Sequence, residues 1–235
     1  MNEVVAAVIP AFRAAPWVAE VVRGTLEQLE VVLVVDDASD DDTAAEARAA
    51  GAELLSHPSN LGKAAALRTA FAELFRRGVA VVVTLDADGQ HLPSEIPKLL
   101  AAHGQGADLV LGSRNHLFTG MSGLRRRSNR LSSAAISWAA GTHIADVQTG
   151  FRLYTREVLS STGFAGDRFA AESAVVVRAA RLGFRVVSVP IELGYADGRS
   201  SSHYRPLVDS LRIACAVIAA RVRPGGSRGS SVSRP

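Results

Sequence analysis

Short, nearly unbroken apolar runs recur along the first half of the chain, and segments with helical features separate them. The predicted strands are 4–10, 31–37, 52–57, 79–91 and 107–113. The helical segments between them end at glycines such as Gly51 and Gly78, which suit the stop position of a helix. Apolar strands that alternate with helices indicate a parallel sheet covered on both faces. The sequence therefore predicts an α/β fold with a mostly parallel sheet and helices on both faces.

The second half of the chain has a less regular rhythm. The predicted elements are a loop and a basic helix in 115–145, a strand at 150–155, a helix at 170–182, a strand at 184–193 and a helix at 206–221. We expect one domain over residues 1–223. Residues 224–235 are rich in Gly, Ser and Arg, a composition typical of a disordered tail.

Composition excludes several classes of protein. The net charge of +3 comes from residues 221–235, which hold four arginines and no acid; the remaining 22 basic and 23 acidic residues nearly balance. With only 6% aromatic residues, nothing predicts a nucleic-acid interface. Cys215 is the only cysteine, so no internal disulfide forms. No signal peptide or membrane-spanning run is recognisable, so we expect a cytoplasmic protein.

Polar residues follow the predicted strands at their carboxyl ends. In parallel α/β sheets, ligands bind at that edge. The residues placed there are Pro10, Asp36, Asp37, Asp86, Asp88, Ser113 and Arg114.

Asp86 and Asp88 raise a specific electrostatic question. Alternate residues of a strand point to one side, so the two carboxylates should lie roughly 6–7 Å apart and repel each other by about 2–3 kcal/mol. A proton on one acid, a cation from Arg or Lys between them, or a divalent metal would each relieve the repulsion. Alternatively, the acids belong to the start of the helix that follows near Ser94 and Glu95.

Other phosphate-handling motifs fit poorly. No G-x-G-x-x-G follows the first strand, and Gly62-Lys63 lacks the rest of a P-loop. The D-x-D-G sequence is similar to the nucleophile motif of haloacid-dehalogenase-type phosphatases. That motif is expected on a first strand with Thr or Val after the Gly, whereas here it lies on the fourth strand and is followed by Gln90.

The motifs taken together resemble family 2 glycosyltransferases of GT-A fold, especially the dolichol- or polyprenol-phosphate sugar synthases. The matching segments are VIPAFRA (8–14), VVDDASDDDT (34–43), NLGKAAALRTAF (60–71), LDADGQH (85–91), VLGSR (110–114), RRRSNRLSS (125–133), DVQTGFRLYTREV (146–158), FAAE (169–172) and GFRVVSVPI (183–191). The resemblance covers about residues 4–212.

The resemblance implies roles for individual residues. Nucleotide binding falls to Pro10, Phe12, Asp36, Asp37, Lys63 and Asp86. A Mg²⁺ or Mn²⁺ ion falls to Asp86, Asp88 and Gln90, whose oxygen donors suit these metals. Catalytic roles fall to Asp88, Arg114 and Glu172, and contacts with phosphate or acceptor to Arg114, Arg126, Arg127, Arg130, Asp146 and Arg199. For the acids of segment 36–42, the alternative role is helix capping.

The implied activity is an inverting, metal-dependent transfer of a hexose from a UDP- or GDP-sugar to polyprenyl phosphate. A hydroxyl acceptor would instead require a base, with Glu172 and Asp146 as the candidates. A non-catalytic nucleotide-sugar-binding protein is the non-enzyme alternative. The family often has Gly where this chain has Ala38 and Ala64, and a Lys where segment 196–206 has none.

A lipid acceptor also predicts contact with the inner face of the cell membrane. The predicted helix at 206–221 carries an apolar stripe, and Arg205, Arg212 and Arg223 fall together on another face. Packing of the stripe on the core accounts for this pattern without a membrane. Alternatively, this face and the arginine-rich tail rest on anionic lipid.

Overall fold

The computed structural model describes residues 3–114, 133–147, 149–166 and 168–194. One sheet of seven strands forms its centre, in the order β3-β2-β1-β4-β6-β5-β7. The strands are β1 (Val5–Ala11), β2 (Val31–Asp36), β3 (Glu53–Ser56), β4 (Val81–Thr84), β5 (Leu109–Ser113), β6 (Arg152–Thr155) and β7 (Val186–Pro190). All neighbouring strands are parallel except that β6 runs antiparallel to both β4 and β5. The predicted mostly parallel α/β sheet is confirmed.

Helices connect the strands and cover both faces of the sheet. They are α1 (Val18–Leu26), α2 (Thr43–Ala49), α3 (Lys63–Arg76), α4 (Ile96–Gly104), α5 (133–140), α6 (Arg156–Thr162) and α7 (Arg168–Arg181), with a 3-10 turn at Pro93–Glu95 before α4. Helix α3 begins after Gly62, whose φ of 87° is readily adopted only by glycine. Thr155 is the N-cap of helix α6, and its hydroxyl accepts a hydrogen bond from the Val158 N–H.

The core has two layers, one on each face of the sheet. Leu67, Phe71 and Leu74 of α3 pack in one layer with residues of α6 and α7. Val18 and Val22 of α1 pack in the other layer with residues of α4. Helices α3 and α7 cover one face of the sheet, and α1, α2 and α4 cover the other. The central strands are therefore apolar on both sides.

The observed elements differ from the predicted ones in three respects. Strand β4 ends at Thr84, because the chain turns directly afterwards, so the prediction that Asp86 and Asp88 alternate within a strand is wrong. Helix α6 was not predicted, since its seven residues follow β6 without a break. The predicted helix 206–221, the tail from 224 and the domain boundary at 223 lie outside the described residues.

Candidate functional site

The carboxyl ends of β1, β2, β4 and β5 carry the predicted polar residues, as the fold requires. Pro10 is tolerated within β1 because β4 ends beside Val8, so no β4 partner is available where the proline lacks an N–H. Phe12 follows β1, is 41% exposed, and the Arg13 guanidinium lies 5.2 Å from the centre of its ring. An exposed aromatic ring at this edge offers a flat surface to a ligand.

The two acids at the end of β2 have different surroundings. Asp36 accepts hydrogen bonds from the backbone N–H and the hydroxyl of Ser39. Asp37 is 3% exposed and accepts hydrogen bonds from the N–H groups of Leu61 (2.9 Å) and Gly62 (2.6 Å). His57 Nδ1 lies 2.7 Å from the same carboxylate. Asp37 therefore holds the 57–62 segment against the end of β2.

The following acids are explained by local structure. Asp40 pairs with Arg13 (2.6 Å), whose hydrogen bond lowers the pKa of that carboxyl. Asp41 accepts hydrogen bonds from the N–H and hydroxyl of Thr43. Asp42 occupies the N-cap position of α2, but its side chain makes no capping bond. These three acids thus belong to the start of α2 and to an exposed ion pair.

Lys63 and Asp86 form an ion pair at the centre of this edge, with Nζ and Oδ1 2.5 Å apart. Their side chains are 29% and 31% exposed. Burial acts to lower the pKa of Lys63, but Asp86 and Glu172 outweigh it, and the pKa lies above its ordinary value. Burial acts to raise the pKa of Asp86, but Lys63, His91 and Arg114 hold it well below its ordinary value. A lysine therefore relieves part of the repulsion between Asp86 and Asp88.

Asp88 and Gln90 lie in the turn after β4. The Gln90 N–H donates to Asp88 Oδ1 at 3.0 Å. His91, which is buried, accepts a hydrogen bond from the Asp86 N–H at 3.2 Å and stacks on Phe151. Its burial lowers the pKa, which favours the neutral imidazole that accepts this bond. Neither acid caps the next helix, because the 3-10 turn begins at Pro93 without a side-chain cap.

Gly150 allows a close approach of backbone to the Lys63–Asp86 pair. A Cβ at position 150 would lie 2.7 Å from Lys63 Nζ and 2.8 Å from Asp86 Cγ, closer than atoms pack. The Gly150 carbonyl accepts a hydrogen bond from the Thr84 hydroxyl at 2.8 Å, which fixes the segment there. A side chain at this position would therefore displace the Lys63–Asp86 pair.

Arg114 follows β5 and is paired with Asp146. The Arg114 Nε donates to Asp146 Oδ2 at 2.8 Å, and Nη2 donates to Oδ1 at 3.3 Å. Burial acts to lower the pKa of Arg114, but Asp146 raises it, with smaller contributions from Asp86 and Asp88. The guanidinium is thus a permanent positive charge close to the acids of the turn.

Glu172 of α7 lies beneath the ion pair and is 3% exposed. Its Oε2 is 3.9 Å from Lys63 Nζ, and its Oε1 is 3.9 Å from Arg152 Nε. Oε1 has no hydrogen-bond partner among the described residues. Arg152 donates instead to the carbonyls of Thr149, Glu172 and Val147, at 2.6–2.9 Å.

The oxygen donors of the turn after β4 fit a small divalent cation. No group of three or more His, Cys, Asp or Glu residues with metal-binding geometry occurs in the described ranges. Mg²⁺ commonly takes only one or two carboxylates and completes its shell with substrate phosphates and water. Asp86, Asp88 and the Gln90 amide provide such a partial set, and the Glu172 carboxylate, whose Oε1 is unpaired, has its other oxygen 3.9 Å from the lysine that neutralises Asp86.

The structure thus brings most of the predicted site residues to one edge of the sheet. Arg126, Arg127, Arg130 and Arg199 lie outside the described residues, so their predicted phosphate contacts stay predictions. The sequence did not predict three residues that support the site, namely His57, Gly150 and Arg152. A partly buried histidine, a glycine without positive φ and a strand arginine give no distinctive pattern in the sequence.

This edge of the sheet gathers acids and cations where parallel α/β sheets bind their ligands. Residues 6–163 match the family model described as glycosyl transferase family 2. The chain belongs to that family, and the haloacid-dehalogenase alternative is wrong.

Curated relatives agree with the family assignment. The polyprenol monophosphomannose synthase of Mycolicibacterium smegmatis is 35% identical over 172 residues, which are 68% of this chain and 65% of that protein. The undecaprenyl-phosphate mannosyltransferase of Micrococcus luteus is 35% identical over 176 residues, 68% of this chain and 70% of that protein. The chain therefore spans about two thirds of the length of these relatives.

Solved structures agree with the fold. Glucosyl-3-phosphoglycerate synthase from Mycobacterium tuberculosis, in complex with Mn²⁺, UDP and phosphoglyceric acid, superposes with a TM-score of 0.71. The match covers 97% of this chain and 81% of that one at 22% identity. The fold is GT-A. Within the described ranges, no helix is both long and apolar enough to cross a bilayer.

Proposed function

We propose that the protein is an inverting, metal-dependent glycosyltransferase that moves a hexose from a UDP- or GDP-sugar to polyprenyl phosphate. The observation that carries the proposal is the Lys63–Asp86 pair, with Asp88 and Arg114 beside it, at the carboxyl edge of the sheet. Family membership and two relatives named for transfer to lipid phosphates support it.

On the donor side, the ends of β1 and β2 receive the nucleotide. Phe12 offers its exposed ring to the base, and Asp36 offers a carboxylate to base N–H or ribose hydroxyl groups. Asp37 acts by holding segment 57–62, and with it Lys63, in place. Both uracil and guanine carry N–H donors, so either nucleotide satisfies this chemistry.

Asp86, Asp88 and Gln90 hold a Mg²⁺ or Mn²⁺ ion together with the donor diphosphate. When bound, the metal neutralises charge on the departing nucleoside diphosphate. Arg114 adds a fixed positive charge near the same oxygens, oriented by Asp146. In the transfer itself, an acceptor oxygen forms a bond to the anomeric carbon as the bond from that carbon to the diphosphate breaks, which inverts the configuration.

The surroundings of the two base candidates favour a phosphate acceptor over a hydroxyl. Asp146 is fully buried and paired with Arg114, and Glu172 is 3% exposed beneath Lys63. A base must reach the proton it removes. Phosphate is already ionised near neutral pH and requires no base, so neither carboxylate has to approach the acceptor.

A lipid phosphate acceptor places the protein at the inner face of the cell membrane, reached from the cytoplasm. The four arginines of residues 221–235 support this placement, because anionic lipid attracts each of them with about 1 kcal/mol. The acceptor contacts predicted for Arg126, Arg127, Arg130 and Arg199 belong to the same proposal.

A transfer assay tests the proposal directly. UDP- and GDP-hexoses are supplied with a short polyprenyl phosphate and either Mn²⁺ or Mg²⁺, and sugar-lipid product is measured. A simple alkyl glycoside serves as the hydroxyl acceptor. Metal-dependent product on the phosphate alone supports the proposal. Product on the hydroxyl acceptor alone, or release of phosphate from a phosphomonoester instead, contradicts it.

A further inference from the structure

Glu172 has an unusual position for a buried carboxylate. One of its oxygens accepts no hydrogen bond within the described part of the chain, although the side chain is 3% exposed. Buried polar atoms normally have a partner, and leaving one unpaired is unfavourable. This oxygen, Oε1, lies 3.9 Å from Arg152 Nε, beyond hydrogen-bond distance, because the donors of Arg152 are directed to three backbone carbonyls and the Tyr154 hydroxyl.

Lys63 is the cation best placed to change partners. Its Nζ is 2.5 Å from Asp86 Oδ1 and 3.9 Å from Glu172 Oε2, the second oxygen of the carboxylate whose Oε1 is unpaired. A charge-assisted N–H···O bond is about 2.8 Å long, so a movement of about 1 Å would complete a bond to Glu172. A lysine ammonium has three donors on a flexible stem, whereas the guanidinium of Arg152 is fixed by its carbonyl partners.

We propose that Lys63 is an exchangeable internal counter-ion: it neutralises Asp86 in the metal-free protein and transfers to Glu172 when a divalent cation binds at Asp86 and Asp88. The inference rests on the metal site of the proposed function and adds a role for Glu172 as the receiving carboxylate. Lys63 and Glu172 are thus positioning residues, since neither has to touch the reacting atoms.

The proposed exchange predicts the direction in which removal of Lys63 changes the affinity for the metal. Damage to a binding site ordinarily weakens binding. Here Lys63 competes with the cation for Asp86, so its removal tightens metal binding to the nucleotide-free protein. Glu172 favours metal binding by accepting the displaced ammonium, and this contribution disappears once Lys63 is gone.

The test measures Mn²⁺ binding to the full chain without nucleotide, from the electron paramagnetic resonance signal of free Mn²⁺. We expect Lys63→Met to bind Mn²⁺ about tenfold more tightly than the unmodified protein, the effect of losing one charge-assisted bond. Glu172→Gln is expected to bind about threefold to tenfold more weakly. In the double variant, the Glu172→Gln change is expected to have no further effect.

Matched controls are available on the surface. Lys98→Met removes the other lysine of the chain, which pairs with Glu95, and Glu157→Gln alters an exposed acid of α6. Both are expected to bind Mn²⁺ as the unmodified protein does. Lys63→Gln provides a second, polar variant, and circular dichroism checks that each variant is folded.

Two outcomes overturn the inference while leaving the proposed function in place. The first is Mn²⁺ binding to both Lys63 variants that is no tighter than binding to the Lys98 control. The second is an equal effect of Glu172→Gln with and without Lys63. Failure of the unmodified protein to bind Mn²⁺ even with UDP or GDP present would overturn the proposed function itself, and the inference with it.

Discussion

Asp37 connects the stability of the protein to the proposed nucleotide site, so its replacement makes a sharp prediction. Its carboxylate accepts hydrogen bonds from the N–H groups of Leu61 and Gly62 and contacts His57 Nδ1 at 2.7 Å. Asp37→Ala leaves all three groups without this acceptor. Hydrogen bonds to a charged group contribute about 1.5–3 kcal/mol each, but Leu61 is exposed and water replaces part of the loss. We therefore expect the free energy of unfolding to fall by about 3–4 kcal/mol.

Asp37→Asn should have a smaller effect, because the amide oxygen can still accept from Leu61 and His57. Its NH₂ group cannot accept from Gly62, so one bond is lost, at a cost of about 1–2 kcal/mol. Both variants should also bind UDP or GDP more weakly, because segment 57–62 leads directly into Lys63. The preferred metal should not change.

Equilibrium urea unfolding followed by circular dichroism measures the stability, and calorimetry measures nucleotide affinity. Asp42→Ala is the matched control, because Asp42 is exposed in the same acidic segment and makes no side-chain capping bond. We expect it to change stability by less than about 0.5 kcal/mol. Unchanged stability of Asp37→Ala would refute the role in holding the segment, and unchanged nucleotide affinity would refute the link to the site.

Three further predictions concern the metal, the backbone and the tail. Asp88→Ala and Asp88→Asn should each lower transfer at least about a hundredfold with the fold intact, and near-normal activity in metal-buffered solution would contradict the metal role. Ala38→Gly should raise the free energy of unfolding by about 1 kcal/mol, because Ala38 has a φ of 61°; a lower midpoint in urea would contradict this. Deletion of residues 224–235 should reduce low-salt co-sedimentation with anionic vesicles, and equal binding to neutral vesicles would contradict the electrostatic account.

The sheet was predictable because its strands are buried on both faces. A strand such as Val31–Asp36 is apolar at nearly every position, and a short run of this kind is typical of a central strand covered by helices on both sides. The place of the site followed from the fold, since parallel strands bring their carboxyl ends to one edge. The antiparallel insertion of β6 between β4 and β5 could not be predicted, because pairing direction depends on the path of the intervening chain rather than on the four residues of the strand.

The partners of the site residues were less predictable than their positions. Asp37 was expected to contact the nucleotide, but its carboxylate is engaged by two N–H groups of a segment more than twenty residues away. Backbone donors have no signature in a sequence, so such contacts appear only in three dimensions. The same holds for Gly150, whose importance comes from atoms of Lys63 and Asp86 that are distant along the chain.

The position of Lys63 changes how Asp86 and Asp88, the two acids after β4, are interpreted as evidence for a metal site. Repulsion between Asp86 and Asp88 argues for a metal only if nothing else neutralises them, and Lys63 already neutralises Asp86 at 2.5 Å. The electrostatic case for a metal therefore depends on the phosphates that enter with the donor, which add negative charge that one lysine and Arg114 do not balance. Nucleotide and metal should accordingly bind together, each increasing the affinity for the other by the same factor.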